Sequence, residues 1–121
     1  MTDAEPTETT GSDPQISHVP ERQRFEIAVD GSRAGLAAYV EDGERRIFHH
    51  TEVDDAYEGR GLAGQLVREA LTRTRDDGRR IVAVCPYVAR WLSRHADEAG
   101  LADAVDPVTP QALDTVRRAV G

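Results

Sequence analysis

From Arg24 onward, hydrophobic and polar positions alternate. Phe25, Ile27 and Val29 are separated by polar neighbours up to Asp30-Gly31, a hairpin turn signal. Leu36–Val40 reads as a second strand closed by Glu41-Asp42-Gly43. A third is predicted over about Arg45–Val53, with Ile47, His49, Thr51 and Val53 on one face. Two short hairpins in series predict an antiparallel meander. The period then changes. Leu62, Leu66, Ala70 and Thr74, flanked by Ala63, Val67 and Leu71, form an i, i+4, i+8 stripe, and Gly78 supplies the helix stop. Asp76 and Asp77 oppose the helix dipole there, at a cost of a few tenths of a kcal/mol. Ile81–Val84 is nearly all apolar, as expected of a buried parallel strand. Pro86 suits the first turn of a helix carrying Val88, Trp91, Leu92 and His95 on one side. An extra amphipathic helix is expected over 108–120, running from Pro110 to Val120 on the outside. There is no internal repeat. The order β-β-β-α-β-α gives an α/β (α+β) class with a mixed, mostly antiparallel sheet and one right-handed strand–helix–strand crossover.

The 121 residues suffice for one compact domain. The first twenty carry Asp3, Glu5, Glu8 and Asp13, no basic side chain, three prolines and no hydrophobic period, so 1–21 reads as a disordered acidic tail on a domain spanning 22–121. The whole chain has a net charge of -7; without the four acids of the first twenty residues the remainder stands at about -3. That balance argues against a nucleic-acid backbone as partner. No run approaches the roughly 20 apolar residues of a membrane span. With no apolar signal core at the N-terminus, a cytoplasmic location is expected. A single cysteine excludes an intramolecular disulfide and a cysteine zinc cluster, and the four histidines match no ligand spacing, so no metal is expected. All fifteen basic residues are arginines.

The stretch Asp54–Gly64 joins a strand to the best helix in the chain. Gly59, Gly61 and Gly64, with Ala63, let the backbone approach a ligand while the free N–H groups of the first helical turn point at it, which suits a diphosphate. It is neither a Walker loop nor the dinucleotide glycine pattern. On spacing alone, a tight structural turn is as good a reading. However, Tyr57-Glu58-Gly59-Arg60-Gly61-Leu62-Ala63 resembles the acetyl-CoA-binding signature of the GNAT acetyltransferases. His50-Thr51-Glu52-Val53 upstream, and Cys85-Pro86-Tyr87-Val88 with Trp91-Leu92 and Arg94-His95 downstream, resemble the short single-domain branch of that superfamily. The resemblance spans about residues 24–105. It implies a minimal GNAT fold, acetyl-CoA as co-substrate, and transfer of an acyl group to an amine or other small acceptor that the sequence does not identify. A monomer or weak homodimer fits such a short domain, which would leave a sheet edge open for pairing. Glu58 departs from the usual Arg or Gln, which leaves the diphosphate to backbone amides. A tyrosine that many superfamily members carry on the helix after the central strand pair is replaced by Leu92 and Ser93.

The resemblance assigns Glu58, Gly59, Arg60, Gly61, Leu62, Ala63 and Gly64 to the diphosphate, and the backbone of Glu52 and Val53 to the pantetheine arm. Three residues become candidates for chemistry. Cys85 sits before a helix N-terminus, which favours its thiolate, and could carry the acetyl group as a thioester. His50 is placed as the proton acceptor, and Tyr87 as a substitute proton donor. Each has a bland alternative: an inert buried thiol, a structural histidine, a half-buried aromatic. His49 reads as structural or surface, His95 as a hydrogen-bonded core histidine, and His18 as part of the solvated tail. The chemistry therefore admits an acyltransferase, with or without a Cys85 thioester, or a non-catalytic acyl-CoA binding or sensing module.

Overall fold

The computed structural model describes residues 13–120. Strands β1 (Gln15–Val19), β2 (Arg24–Val29), β3 (Ser32–Asp42) and β4 (Arg45–Val53) precede helix α1 (Leu62–Asp76). Strand β5 (Arg80–Ala83), helix α2 (Pro86–His95), the short strand β6 (Val105–Asp106) and helix α3 (Pro110–Val120) complete the chain. The six strands form one sheet in the order β1-β2-β3-β4-β5-β6. The first four run antiparallel, and β5 and β6 join in parallel. The expected mixed sheet is therefore present, enlarged by one strand at each end.

The added strand β1 lies inside the segment predicted to be disordered. Ile16 pairs with Ile27 and His18 with Phe25 in an antiparallel ladder. Ile16 packs on the core, and the His18 ring stacks on Phe25 at 4.2 Å. A histidine in an inward position hid the two-residue period, and the acidic, proline-rich surroundings outweighed five residues of strand. His18 is thus a packed residue, not a solvated one. Residues 1–12 of the predicted tail lie outside the described residues.

Helices α1 and α2 cover one face of the sheet. Leu62, Leu66, Val67, Ala70 and Leu71 of α1 meet Phe25, Ile27, Tyr39 and Phe48 from the strands and Val88, Trp91 and Leu92 from α2. Helix α3 lies on the other face, where Ala112 closes a smaller cluster with Val40, Ile47 and Val82. At the far end of α1, the Arg46 guanidinium is buried. It lies 4.7 Å from the Tyr39 ring centroid and donates to Thr74 Oγ1 at 3.2 Å and Glu41 Oε2 at 3.0 Å. Its Nη1 stands 3.6 Å from Asp77, which accounts for an acid at this helix terminus.

One irregularity decides the geometry of the site. Tyr39 pairs with Phe48 but Ala38 with His50, so His49 is an extra residue in β4, a β-bulge. The bulge reverses which residues face the helices. Ile47 belongs to the α3 cluster, whereas Val53 packs with the α1 side. The predicted common face of Ile47, His49, Thr51 and Val53 is broken at His49.

Candidate active site

Strands β4 and β5 run parallel only as far as the Phe48–Ala83 pair. There the N–H groups of Val84 and Cys85 both donate to the Phe48 carbonyl, at 3.0 and 2.8 Å. Cys85 then caps α2, with Pro86 at its first position, while β4, still paired with β3 on its other edge, continues without β5 to Val53. The strands therefore part into a wedge. At its open end the Asp54 N–H donates to the Ala34 carbonyl, and a short 3-10 turn over Asp55–Tyr57 leads into the glycine-rich segment. Gly59 and Gly61 have φ of +81° and +72°, values that explain glycine at both positions. Gly61 is the N-cap of α1, and no side chain caps the helix. The amides of Leu62, Ala63 and Gly64 therefore lack intrahelical acceptors.

These amides border a cleft of about 310 Å³ enclosed by the end of β4, the glycine turn, the first turn of α1 and Tyr87. Of the residues assigned to the cofactor, Glu52, Val53, Glu58, Gly59, Gly61, Leu62, Ala63 and Gly64 line it. Arg60 does not; its guanidinium lies 5.4 Å from the centroid of the Tyr57 ring.

The chemical candidates are not gathered at one point. Cys85 is buried, and its side-chain partner is Thr51, whose Oγ1 lies 3.5 Å from Sγ. Because Thr51 faces Cys85, its neighbour His50 projects from the opposite face of the strand. There His50 is exposed, with Nε2 3.7 Å from Glu52 Oε2. The structure thus does not bring His50 and Cys85 together. Straight alternation from Phe48 would have done so; the bulge at His49 puts Thr51 there instead. Tyr87 is 39% exposed, and its hydroxyl stands 3.9 Å from where a Gly64 Cβ would lie. That places it at the glycine end of the cleft. Thr51, which also lines the cleft, was not singled out by the sequence, since only the shifted register turns it inward.

The other histidines differ from expectation in one case. His49 is half-buried, and desolvation, with a smaller effect of His50, lowers its pKa. His95 is not a core residue: its side chain is half-exposed, with Nδ1 3.4 Å from Glu98 and its ring 4.8 Å from Trp91. Among the described residues no three His, Cys, Asp or Glu side chains gather within reach of one metal ion. No helix among them is long and apolar enough to cross a membrane.

A strand that splays from its parallel neighbour, followed by a glycine turn and an uncapped helix, calls for comparison with known proteins. The profile of the GCN5-related N-acetyl-transferases matches residues 24–101, from the start of β2 to just beyond α2. The chain belongs to this family. Protein NATD1 of Gallus gallus is 29% identical over 83 residues, covering 67% of this chain and 76% of that protein. Protein NATD1 of Homo sapiens is 28% identical, over 67% and 74% of the two chains. The solution structure of a GCN5-like protein from Staphylococcus aureus aligns with a TM-score of 0.57 at 18% identity, covering 84% of this chain and 95% of that one. That likeness establishes the fold. In this acetyltransferase, β1, β6 and α3 lie outside the matched region, which contains the wedge, the glycine turn and α2.

Proposed function

We propose that the protein is an acyltransferase that binds acetyl-CoA in the cleft and passes the acyl group directly to an amine arriving from the open face of the sheet. The cleft carries this reading: one continuous surface joins the end of β4, whose edge is free of β5 beyond Phe48, to the free amides of α1. The diphosphate would rest on the amides of Leu62–Gly64, where the helix dipole favours negative charge. Glu58 contributes no positive charge to that contact, so backbone groups hold it. The pantetheine arm would follow β4 inward, bringing the thioester to the wedge bounded by Thr51 and Cys85.

The two faces of β4 then divide the labour. Thr51 and Cys85 form the wall on the helix side. His50 and Glu52 project on the other, where both side chains are more than half exposed. An acceptor ammonium approaching from that side would lose its proton to His50, and the amine nitrogen would attack the thioester carbonyl. The carbon–sulfur bond breaks as the new amide forms. The nitrogen's second proton passes to water, and the departing CoA thiolate is protonated from water. Tyr87 is assigned to the diphosphate end. The carboxylates of Glu52, Asp54 and Asp55 beside this route favour a cationic acceptor.

A two-step route through Cys85 would require a buried thiol whose neighbour is a threonine, not a base. Direct transfer predicts that Cys85→Ala retains turnover within about threefold, and that intact mass shows no acetyl adduct dependent on Cys85. The chain has no lysine to take up stray acetyl groups, so the mass readout is clean. One acetyl gained by wild type and lost in Cys85→Ala, together with lost turnover, would establish the thioester route instead. Tight CoA binding with no thiol released from acetyl-CoA across a panel of primary amines and polyamines would favour a binding module.

A further inference from the structure

Strand β1 is held to the sheet from one side. It pairs with β2 over five residues, and its other edge meets no strand among the described residues. The wedge, the glycine turn, α1 and α2 all lie within residues 24–101, so none of them includes any part of β1. The link between β1 and β2 is a 3-10 turn over Pro20–Arg22 followed by Gln23 at φ +54°. This left-handed conformation is unfavourable for a residue with a Cβ, so the hinge is strained while β1 is docked. The Gln23 carbonyl accepts from the Tyr39 N–H at 3.0 Å, which anchors the pivot to β3.

One titratable side chain fastens β1. The His18 ring stacks on Phe25, and its Nε2 is hydrogen-bonded to the hydroxyl of the buried Tyr39. A neutral ring accepts the hydroxyl proton at Nε2, whereas a protonated ring has no acceptor left. Protonation also sets a second cation beside Arg46, whose guanidinium lies 4.7 Å from the Tyr39 ring centroid and 5.8 Å from that of Phe25. Desolvation first, and then Arg46, disfavour the charged ring; Arg73 of α1 adds to them, while Asp77 of α1 and Glu41 of β3 oppose. Both opposing carboxylates are already engaged by Arg46.

We propose that β1 is a strap released by acid: protonation of His18 frees it from Phe25 and Tyr39, and β1 swings off the edge of β2 about Gln23 while the rest of the sheet and the helices stay folded. Release bares the Phe25 ring and the outer edge of β2. Once released, the imidazole regains its ordinary pKa of 6.5, so the free strand binds the proton more tightly than the docked one. Docking is therefore whole above about pH 6.5 and is lost as pH falls through the docked value. Between about pH 7.5 and 5 the opening equilibrium of β1 rises by up to about thirtyfold, the limit for a group neutral when docked.

Amide hydrogen exchange of the full chain at about pH 7.5 and 5, corrected for the change in intrinsic rate, tests this. The ladder between β3 and β4 serves as the internal reference, because its amides open only with the whole domain. In wild type, protection at residues 15–19 should fall about five- to thirtyfold relative to that ladder on acidification. His18→Gln keeps a hydrogen-bonding group for Tyr39, and His18→Phe keeps a ring on Phe25; neither titrates in this range. In both variants the same ratio should change by less than about twofold. Wild-type β1 amides that follow the β3–β4 ladder at both pH values would overturn the strap, since β1 would then open only by global unfolding. A fall in both variants as large as in wild type would overturn His18 as the trigger.

Discussion

Replacing Gly64 should separate what the helix wants from what the ligand needs. Gly64 is the third residue of α1, and its φ is not positive, so an alanine meets no backbone strain. An added Cβ would sit 3.9 Å from both Trp91 Nε1 and the Tyr87 hydroxyl, ordinary contact distances. Glycine costs about 0.8–1 kcal/mol relative to alanine inside a helix, and about half of that near its first turn. Gly64→Ala should therefore stabilise the protein by about 0.5 kcal/mol, or about 2–4 °C in Tm for a domain of this size. Gly64→Leu keeps the helical preference but drives its outer carbons into the cleft that Gly64 lines. Its Tm should stay within about 3 °C of wild type while CoA affinity falls at least tenfold, about 1.4 kcal/mol. Thermal unfolding by circular dichroism and calorimetric titration with CoA give the two readouts. A lower Tm for Gly64→Ala would refute the conformational argument. Wild-type CoA affinity in Gly64→Leu would refute the claim that the cleft beside Gly64 holds the ligand.

Two further outcomes follow from packing and titration. In Gly35→Ala the new Cβ would stand 2.6 Å from the Glu52 carbonyl oxygen, a backbone atom that cannot swing aside. Urea unfolding should show a loss of about 1–3 kcal/mol, and an unchanged midpoint would contradict the close approach of β3 and β4. Desolvation first, and then the Arg46 charge, hold the His18 pKa below its ordinary 6.5, with Glu41 and Asp77 opposing more weakly. The unfolded chain then binds the proton more tightly, so this contribution is whole above about pH 6.5 and is lost as pH falls through the folded pKa. His49 shifts in the same direction, so the comparison must be made within one variant series. His18→Gln should flatten, without abolishing, the fall in Tm between about pH 7.5 and 5.5; equal slopes would show that His18 is solvated in the native state.

The strands and helices that were legible in the sequence are those with one clear period. Strands β2 to β4 announced themselves by alternation and by Asp30-Gly31 and Asp42-Gly43; α1 and α2 did so by their 3.6-residue stripes and by Gly78 and Pro86. Strand β1 was not legible, because its inward positions hold Ile16 and His18 and its neighbours are polar. Strand β6 has two residues, too few for any period. Arg46 points inward, where a charge breaks the pattern that alternation relies on. The glycine turn was legible because positive φ values demand glycine. The division of His50 and Thr51 between two faces was not. It depends on one extra residue, His49, and a bulge of that kind leaves no mark in composition or spacing.

The central claim is that acetyl-CoA lies with its diphosphate on the free amides of the glycine turn. Titration of ¹⁵N-labelled protein with CoA, followed by amide chemical shifts, tests it residue by residue. The account predicts saturable shifts at Gly59, Gly61 and Leu62–Gly64, with smaller ones along Thr51–Val53 and none in α3. Amides of the glycine turn that stay in place at millimolar CoA would contradict it.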